Sequence, residues 1–396
     1  MRPERRLLFL APYPPRRDAL HGGARAMAHL IGGLAGRNRV ALLCLRADDE
    51  EGTDLRDVCE IAEELPRRGR RRSKNLRERV GKHLRTAESL LAFRPKWATW
   101  CALPAFEERL RILDADWRPE VVQAEYHVMG QYLSCVRSAR RVLNQYEPGA
   151  PAAREHGVRD LRKYLEMKAW ERYERDVARQ VDAVVVLTDR DRNAMLPYTG
   201  STPLVVIPLG SAAPERALDP AGQPPPSVLF VGNFHHPPNV EAAVRLAGSI
   251  FPRVRQRCPD AELHLVGDGG LDVGGPGVTV TGRVPSVEPW LDRAAVAAAP
   301  LSTGGGMRVK VLEALAAGKA VVASPLAAEG LQGAPLLLAD GDEETAEAII
   351  GLIQNRDRRI ALATRAREWS LARGGPVEAF EALYERLLAR QAEVGS

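Results

Sequence analysis

The sequence predicts an α/β protein made of two doubly wound, parallel-sheet domains, and three observations carry that expectation. The chain has 396 residues, about twice the usual 100–200 of one domain. Its short apolar runs are continuous rather than alternating, with helical patterns between them, which is how parallel strands covered on both faces read. A proline-rich stretch at 212–227 then breaks the pattern before it starts again.

The first element expected is a buried strand, Leu7-Leu8-Phe9-Leu10-Ala11, followed by a Pro/Gly-rich loop holding His21-Gly22-Gly23. Met27, Leu30, Ile31 and Leu34 then recur at helical spacing, and Val40-Ala41-Leu42-Leu43-Cys44 reads as the next strand. The same kind of run returns at 121–124, 142–143, 183–187 and 204–207, with Thr188 and Asp189 placed to cap a helix. These segments assign 1–211 to an N-terminal Rossmann-like domain. The stretch through Gly222-Gln223-Pro224-Pro225-Pro226 can be neither helix nor central strand, so 212–227 is expected to be a linker. A second series, with strands at 227–231, 262–266, 278–281, 296–299 and 320–323, assigns 228–375 to a second domain. A closing helix over 376–396 gathers Phe380, Leu383, Leu387 and Leu388 on one side, and it is placed to cross back to the first domain.

Composition narrows the function classes. Hydrophobic residues at 45% and charged residues at 27% are those of a globular chain with ample core. Aromatics at 5% are too few for base-stacking platforms. No apolar run approaches the roughly 20 residues of a spanning helix, and Leu7 to Pro12 is too short for a signal-peptide core. Five cysteines with no CxxC spacing read as reduced thiols, so a cytoplasmic location is expected. The net charge of +5 is concentrated: residues 66–94 hold eleven Arg/Lys against Glu78 and Glu88. Within 73–94, Leu76, Val80, Leu84, Ala87 and Leu91 form an apolar stripe on a basic helix. Two readings stand for it, a stripe packed on its own sheet with solvated cations, or peripheral contact with an anionic membrane surface. No specific nucleic-acid motif accompanies it.

The densest chemical signal is Ser302-Thr303-Gly304-Gly305-Gly306-Met307-Arg308-Val309-Lys310-Val311-Leu312-Glu313. Three glycines after a strand let the backbone approach a ligand, and the N-terminus of the following helix favours an anion such as a diphosphate. Glu313 lies two helical turns past Gly306 on the same face, placed to accept hydrogen bonds from the two hydroxyls of a ribose. The plainer reading is a tight turn with a Lys310–Glu313 pair. Three Asp-X-Asp triplets, at 114–116, 189–191 and 340–342, are read as structural, and the histidines show no ligand spacing, so no metal site is expected.

This stretch resembles the donor-binding segment of glycosyltransferase family 4, retaining nucleotide-sugar enzymes with the two-domain GT-B fold. Val231-Gly232-Asn233, Val266-Gly267-Asp268-Gly269 and Thr281-Gly282-Arg283-Val284 resemble, in order, the turns of that family's second domain. Ile207-Pro208-Leu209-Gly210 resembles its hinge approach. Gln123-Ala124-Glu125-Tyr126 and the helix around Arg172-Tyr173-Glu174 resemble the first domain of one bacterial branch. The resemblance covers most of the chain, is strongest in the second domain, and is poor over 45–115.

What the resemblance implies is a GT-B protein whose two domains face each other across a cleft, with a nucleotide-diphosphate sugar as co-substrate. It implies no cofactor and no metal, and an acceptor that is a glycan, a lipid-linked sugar or a small molecule. Gly22, Gly23, Glu125, Gly232, Asn233, Gly267, Arg283, Val284, Gly304, Gly305, Gly306, Met307 and Glu313 are the implied substrate-binding residues. Arg308, Lys310, Tyr146 and Glu147 are the implied catalytic residues: Arg308 and Lys310 are assigned the phosphate charge, Tyr146 the sugar contact that a histidine makes in the branch, and Glu147 the orientation or deprotonation of the acceptor hydroxyl. The sequence departs from the family at Gly305, where a glutamate is usual, and at Tyr146-Glu147, where the branch has His-Asp. Those departures keep two alternatives open: a catalytically degenerate binding protein, or a nucleotide-sugar epimerase or hydrolase of the same fold.

Overall fold

The computed structural model describes residues 4–19, 22–67, 93–150, 161–210, 214, 216–303, 309–373 and 375–394. The chain divides into two compact units. One comprises Met1–Arg17, Met27–Pro208 and Pro376–Ser396, the other Asp18–Ala26 and Leu209–Gly375.

The first unit is built on seven strands: β1 (Arg6–Ala11), β2 (Arg39–Ala47), β3 (Ile61–Arg67), β4 (Val121–Glu125), β5 (Arg140–Gln145), β6 (Ala183–Val186) and β7 (Leu204–Val206). Their order is β3-β2-β1-β4-β5-β6-β7, and every pairing is parallel. Leu8 of β1 stands beside Ala41 on one side and Val122 on the other, all three fully or almost fully buried, which is why these strands read as unbroken apolar runs. The chain reverses its direction of winding between β1 and β4, so the carboxyl ends of those strands form a topological switch point.

Helix α1 (Gly22–Ala35) buries Met27, Leu30, Ile31 and Leu34, the four residues whose spacing marked it. Helices α2 (Lys96–Trp100), α3 (Pro104–Asp116), α4 (Leu161–Ala178) and α5 (Asp189–Thr199) follow. Thr188 caps α5, its Oγ1 accepting from the Asp191 N–H at 3.1 Å. The last helix of the chain, which we number α12 (Pro376–Val394), belongs to this same unit. It buries Phe380, Leu383, Tyr384 and Leu387. Glu381 accepts from Arg37 at 3.1 Å, and Tyr384 donates to Gln123 Oε1 at 2.6 Å.

The second unit holds β8 (Ser227–Val231), β9 (Glu262–Val266), β10 (Val278–Gly282), β11 (Val296–Ala299), β12 (Ala320–Ala323) and β13 (Leu337–Leu338). The order is β10-β9-β8-β11-β12-β13, again all parallel, with the switch point between β8 and β11. Its helices are α6 (Pro237–Arg245), continued through a π-turn at Leu246–Ile250 into α7 (Phe251–Arg257), then α8 (Glu288–Arg293), α9 (Val309–Ala316), α10 (Asp342–Gln354) and α11 (Arg356–Ala372). Phe230, Phe251, Leu263, Leu265 and Leu315 lie at the centre of one continuous apolar core.

Two strands exceed the sequence expectation. β3 carries Ala62-Glu63-Glu64 at half-buried positions of an edge strand, and β13 is two residues long, so neither presents an apolar run. Within the stretch expected to be a linker, residues 218–221 pack on the second unit. Leu218 is buried in the second unit's core, and Arg359 donates to the Ala221 carbonyl at 2.9 Å. The fully buried Lys319 ammonium reaches the carbonyls of Asp219 and Asp292. Burial lowers that ammonium to about 8. All five cysteines are free, four of them buried. Among the described residues no helix is long and apolar enough to cross a membrane. The basic helix expected over 73–94 lies, except for Phe93 and Arg94, outside the described residues.

Candidate functional site

The loops at the carboxyl ends of β8, β9 and β10 interlock through glycine. Gly267 has φ +149°, and a Cβ there would stand 1.7 Å from the Gly232 carbonyl oxygen. Backbone therefore lies directly on backbone, with Gly232 N–H donating to Val266 O at 3.0 Å and Gly267 N–H to Gly282 O at 3.2 Å. Asn233 shapes the turn out of β8: its Oδ1 accepts from His235 N at 2.9 Å, and its carbonyl accepts from Asn239 Nδ2 at 2.9 Å. Arg283, after β10, is exposed, while Val284 packs against the core.

The glycine-rich turn between β11 and α9 starts with a polar anchor. Ser302 and Thr303 both donate to Glu241 on α6, and those bonds hold its carboxyl below the ordinary value. Arg245, the last residue of α6, donates to Pro300 O at 3.0 Å and pairs with Asp342. Gly304, Gly305, Gly306, Met307 and Arg308 lie outside the described residues. Where the chain resumes as α9, Lys310 turns towards α6, its ammonium 2.5 Å from Asn239 Oδ1 and 4.4 Å from the Phe230 ring centroid. Lys310 thus sets a positive charge against the turn that leaves β8.

Glu313 is half-buried on α9 and takes a two-pronged bond from Arg25, which the second unit includes. Arg25 Nε donates to Oε1 at 2.7 Å and Nη2 to Oε2 at 3.0 Å. Arg25 Nη1 also donates to the Ala19 carbonyl at 2.7 Å. The first residue of α1, Gly22, meets the first residue of α9: a Cβ on Gly22 would be 2.9 Å from Val309 Cβ. Gly23 is buried beside it. The amino ends of α1 and α9 therefore approach each other, with a cation and a carboxylate next to them.

In the first unit, the carboxyl ends of β4 and β5 carry a buried polar cluster. Glu125 is 0% exposed and accepts from Gln123 Nε2 at 2.6 Å and Asn144 Nδ2 at 3.0 Å. Burial outweighs those bonds and raises its carboxyl to about 7. Tyr126 follows with φ +67°, a left-handed conformation that costs energy for so bulky a residue. Its ring stacks on Tyr146 at 4.4 Å and meets Tyr13 edge-on at 5.4 Å. Tyr146, assigned from the resemblance to a sugar contact, is 1% exposed within that stack, whereas Glu147, assigned to the acceptor hydroxyl, is half-buried. Helix α4 holds both loops. Glu174 accepts from Gly149 N at 2.6 Å and Ala150 N at 3.2 Å, and Tyr173 donates to His127 O at 2.8 Å.

The structure thus gathers Gly22, Gly23 and Glu313 in one region of the second unit, groups Gly232, Asn233, Gly267 and Lys310 in another, and keeps Glu125 with Tyr146 in the first unit. Sequence reasoning missed Arg25, Glu241 and the supporting role of Glu174; Asn239 is marked only through the resemblance of Pro238-Asn239-Val240 to the family's opening turn. Arg25 and Glu313 stand 288 positions apart, so only the fold brings them together. Of the Asp-X-Asp triplets, Asp114 accepts from Arg137 N and Ser138 Oγ, Asp191 belongs to the cap of α5, and Asp342 pairs with Arg245. Among the described residues no group of three or more His, Cys, Asp or Glu could hold a metal ion.

Residues 225–355, which include the β8 turn, the Gly267 loop, Lys310 and Glu313, match the family model described as glycosyl transferases group 1. The match supports a group 1 glycosyltransferase. No curated protein matches the chain. Solved structures do. Sucrose-phosphate synthase from Thermosynechococcus elongatus is 17% identical with a TM-score of 0.70, covering 98% of this chain and 100% of its own. Anabaena HepE, solved in complex with UDP and glucose, is 13% identical with a TM-score of 0.62, covering 97% and 99%. An α,α-trehalose-phosphate synthase (UDP-forming) from Burkholderia xenovorans, solved with glucose-6-phosphate, is 12% identical with a TM-score of 0.62, covering 96% and 99%. At such identities the likeness is one of fold, and that fold is GT-B.

Proposed function

We propose that the chain is a group 1 glycosyltransferase, a retaining, metal-independent enzyme that moves a sugar from a nucleotide-diphosphate donor to an acceptor hydroxyl. The observation that carries the reading is the placement of Lys310 and Glu313 on the helix after β11, beside the switch point of the second unit, inside the stretch matched to the family. Open α/β sheets bind ligands at that position. In the reaction the bond from the anomeric carbon to the diphosphate breaks and a bond to the acceptor oxygen forms. Glu313 takes the ribose hydroxyls. Lys310 and Arg308, with the N–H groups of Gly304 to Gly306, offset the charge growing on the leaving diphosphate. Glu147, half-buried after β5, orients the acceptor hydroxyl and assists its deprotonation. The acceptor is a glycan, a lipid-linked sugar or a small molecule.

A thermal-shift panel of UDP, GDP, ADP and dTDP, each with EDTA or with Mg²⁺, tests the donor site. One nucleotide at 100 times its dissociation constant should add about 2.7 kcal/mol of stability. The expected result is one responding nucleotide, unaffected by EDTA, whose effect disappears in Glu313→Ala. No response to any nucleotide refutes the reading in favour of a degenerate binding protein. Proton NMR of the product tests retention, since an anomer opposite to the donor's excludes it. Product formed without any acceptor marks a hydrolase.

A further inference from the structure

The carboxylate assigned to the ribose already has a partner. Arg25 covers both oxygens of Glu313 with its guanidinium fork, at 2.7 and 3.0 Å, and the two side chains are only 17% and 20% exposed. Ribose hydroxyls approaching Glu313 must compete with a charge-assisted, two-pronged bond, a strong interaction for a neutral hydroxyl to displace. A nucleoside alone offers Arg25 nothing in return, and the guanidinium would be left half-buried without an anion. A nucleoside diphosphate offers it a phosphate.

Resting on the function proposed above, we propose that Arg25 is a donor-binding residue that exchanges partners, passing from Glu313 to the donor diphosphate as the ribose takes its place. The position suits the exchange. Arg25 lies in the first turn of α1, next to Gly22, whose α-carbon packs against Val309 at the start of α9. The guanidinium is therefore held at Glu313, one turn along α9 from Val309, which Gly22 meets at the amino end of that helix. Its third contact, from Nη1 of the same guanidinium to the Ala19 carbonyl at 2.7 Å, keeps the fork near the loop before α1. The exchange makes the site select for diphosphates over nucleosides without a residue dedicated to either state. Guanidinium geometry matches both anions bidentately, which an ammonium does not.

The test measures binding by calorimetry for four probe pairs: uridine with UDP, adenosine with ADP, guanosine with GDP and thymidine with dTDP. Wild type is compared with Arg25→Ala and Arg25→Lys after circular dichroism has confirmed that both fold. In Arg25→Ala, Glu313 is uncovered, so the nucleoside should bind several-fold more tightly. The preference for diphosphate over nucleoside should fall by about tenfold or more, the weight of a lost charge-assisted contact. In Arg25→Lys the nucleoside should again gain, while most of the diphosphate preference stays. Equal changes for nucleoside and diphosphate, or no change in either, overturn the exchange and leave the donor site standing. A gain for the nucleoside with an unchanged preference overturns it equally, because Arg25 then never reaches the phosphates. A wild-type protein that binds none of the diphosphates overturns the functional reading itself, and with it this inference.

Discussion

Between Gly232 and Gly267 two backbones touch, and a methyl group on Gly267 would lie 1.7 Å from a carbonyl oxygen. Gly267→Ala is therefore expected to cost at least about 3 kcal/mol, measured by calorimetric unfolding. Gly270→Ala, where a Cβ meets nothing within 4 Å, serves as the control. A second single-residue prediction concerns Glu125, whose carboxyl rises from 4.5 to about 7 through burial. The folded chain keeps that proton over a range in which the unfolded chain has released it. The associated stability is fully present below about 4.5 and is lost as pH rises through about 7. Glu125→Gln has no proton to lose, so the stability gap between wild type and variant should narrow by about 3 kcal/mol between pH 5 and pH 8. Urea unfolding at both pH values measures it, and a gap independent of pH contradicts it.

At the scale of elements, α4 fixes two loops at once, one through Tyr173 and one through Glu174. Glu174→Ala strips the buried Gly149 and Ala150 N–H groups of their acceptor and is expected to cost about 2–4 kcal/mol. Amide exchange at those two positions should accelerate far more than in β1, and uniform acceleration would mean a general loss of stability instead. This clamp was invisible beforehand, because a glutamate on a helix carries no mark of what it accepts from. The strands were legible for the opposite reason. A strand buried on both faces must be apolar throughout, so Leu7 to Ala11 or Val296 to Ala299 could not have been much else. β3 escaped because an edge strand tolerates charge, as Glu63 shows by pairing with Arg109 at 2.6 Å, and Ile61–Arg67 therefore holds neither an apolar run nor an alternation. The candidate site was readable where chemistry lies in adjacent residues, as at Lys310 and Glu313. It was unreadable where the partner lies far along the chain, as Arg25 does from Glu313.

The whole chain ends with a helix that its first unit needs. Phe380, Leu383, Tyr384 and Leu387 are all at most 5% exposed. Each buried side chain of this size contributes about 1.5–3 kcal/mol. Deleting Pro376–Ser396 is expected to unfold the first unit, with loss of the near-ultraviolet signal of its stacked tyrosines. The cooperative transition of the second unit should survive, and a single unchanged melt would show that the helix is dispensable. The same feature bears on how the protein is made. Ribosomes deliver β7 at Val206 and α12 only from Pro376 onwards, at roughly 5–20 residues per second. For on the order of ten seconds or more the nascent first sheet waits with its apolar ground uncovered while the entire second unit emerges. Vectorial synthesis therefore cannot complete this protein's units in the order in which they begin, and translation pace across 209–375 becomes a determinant of its yield.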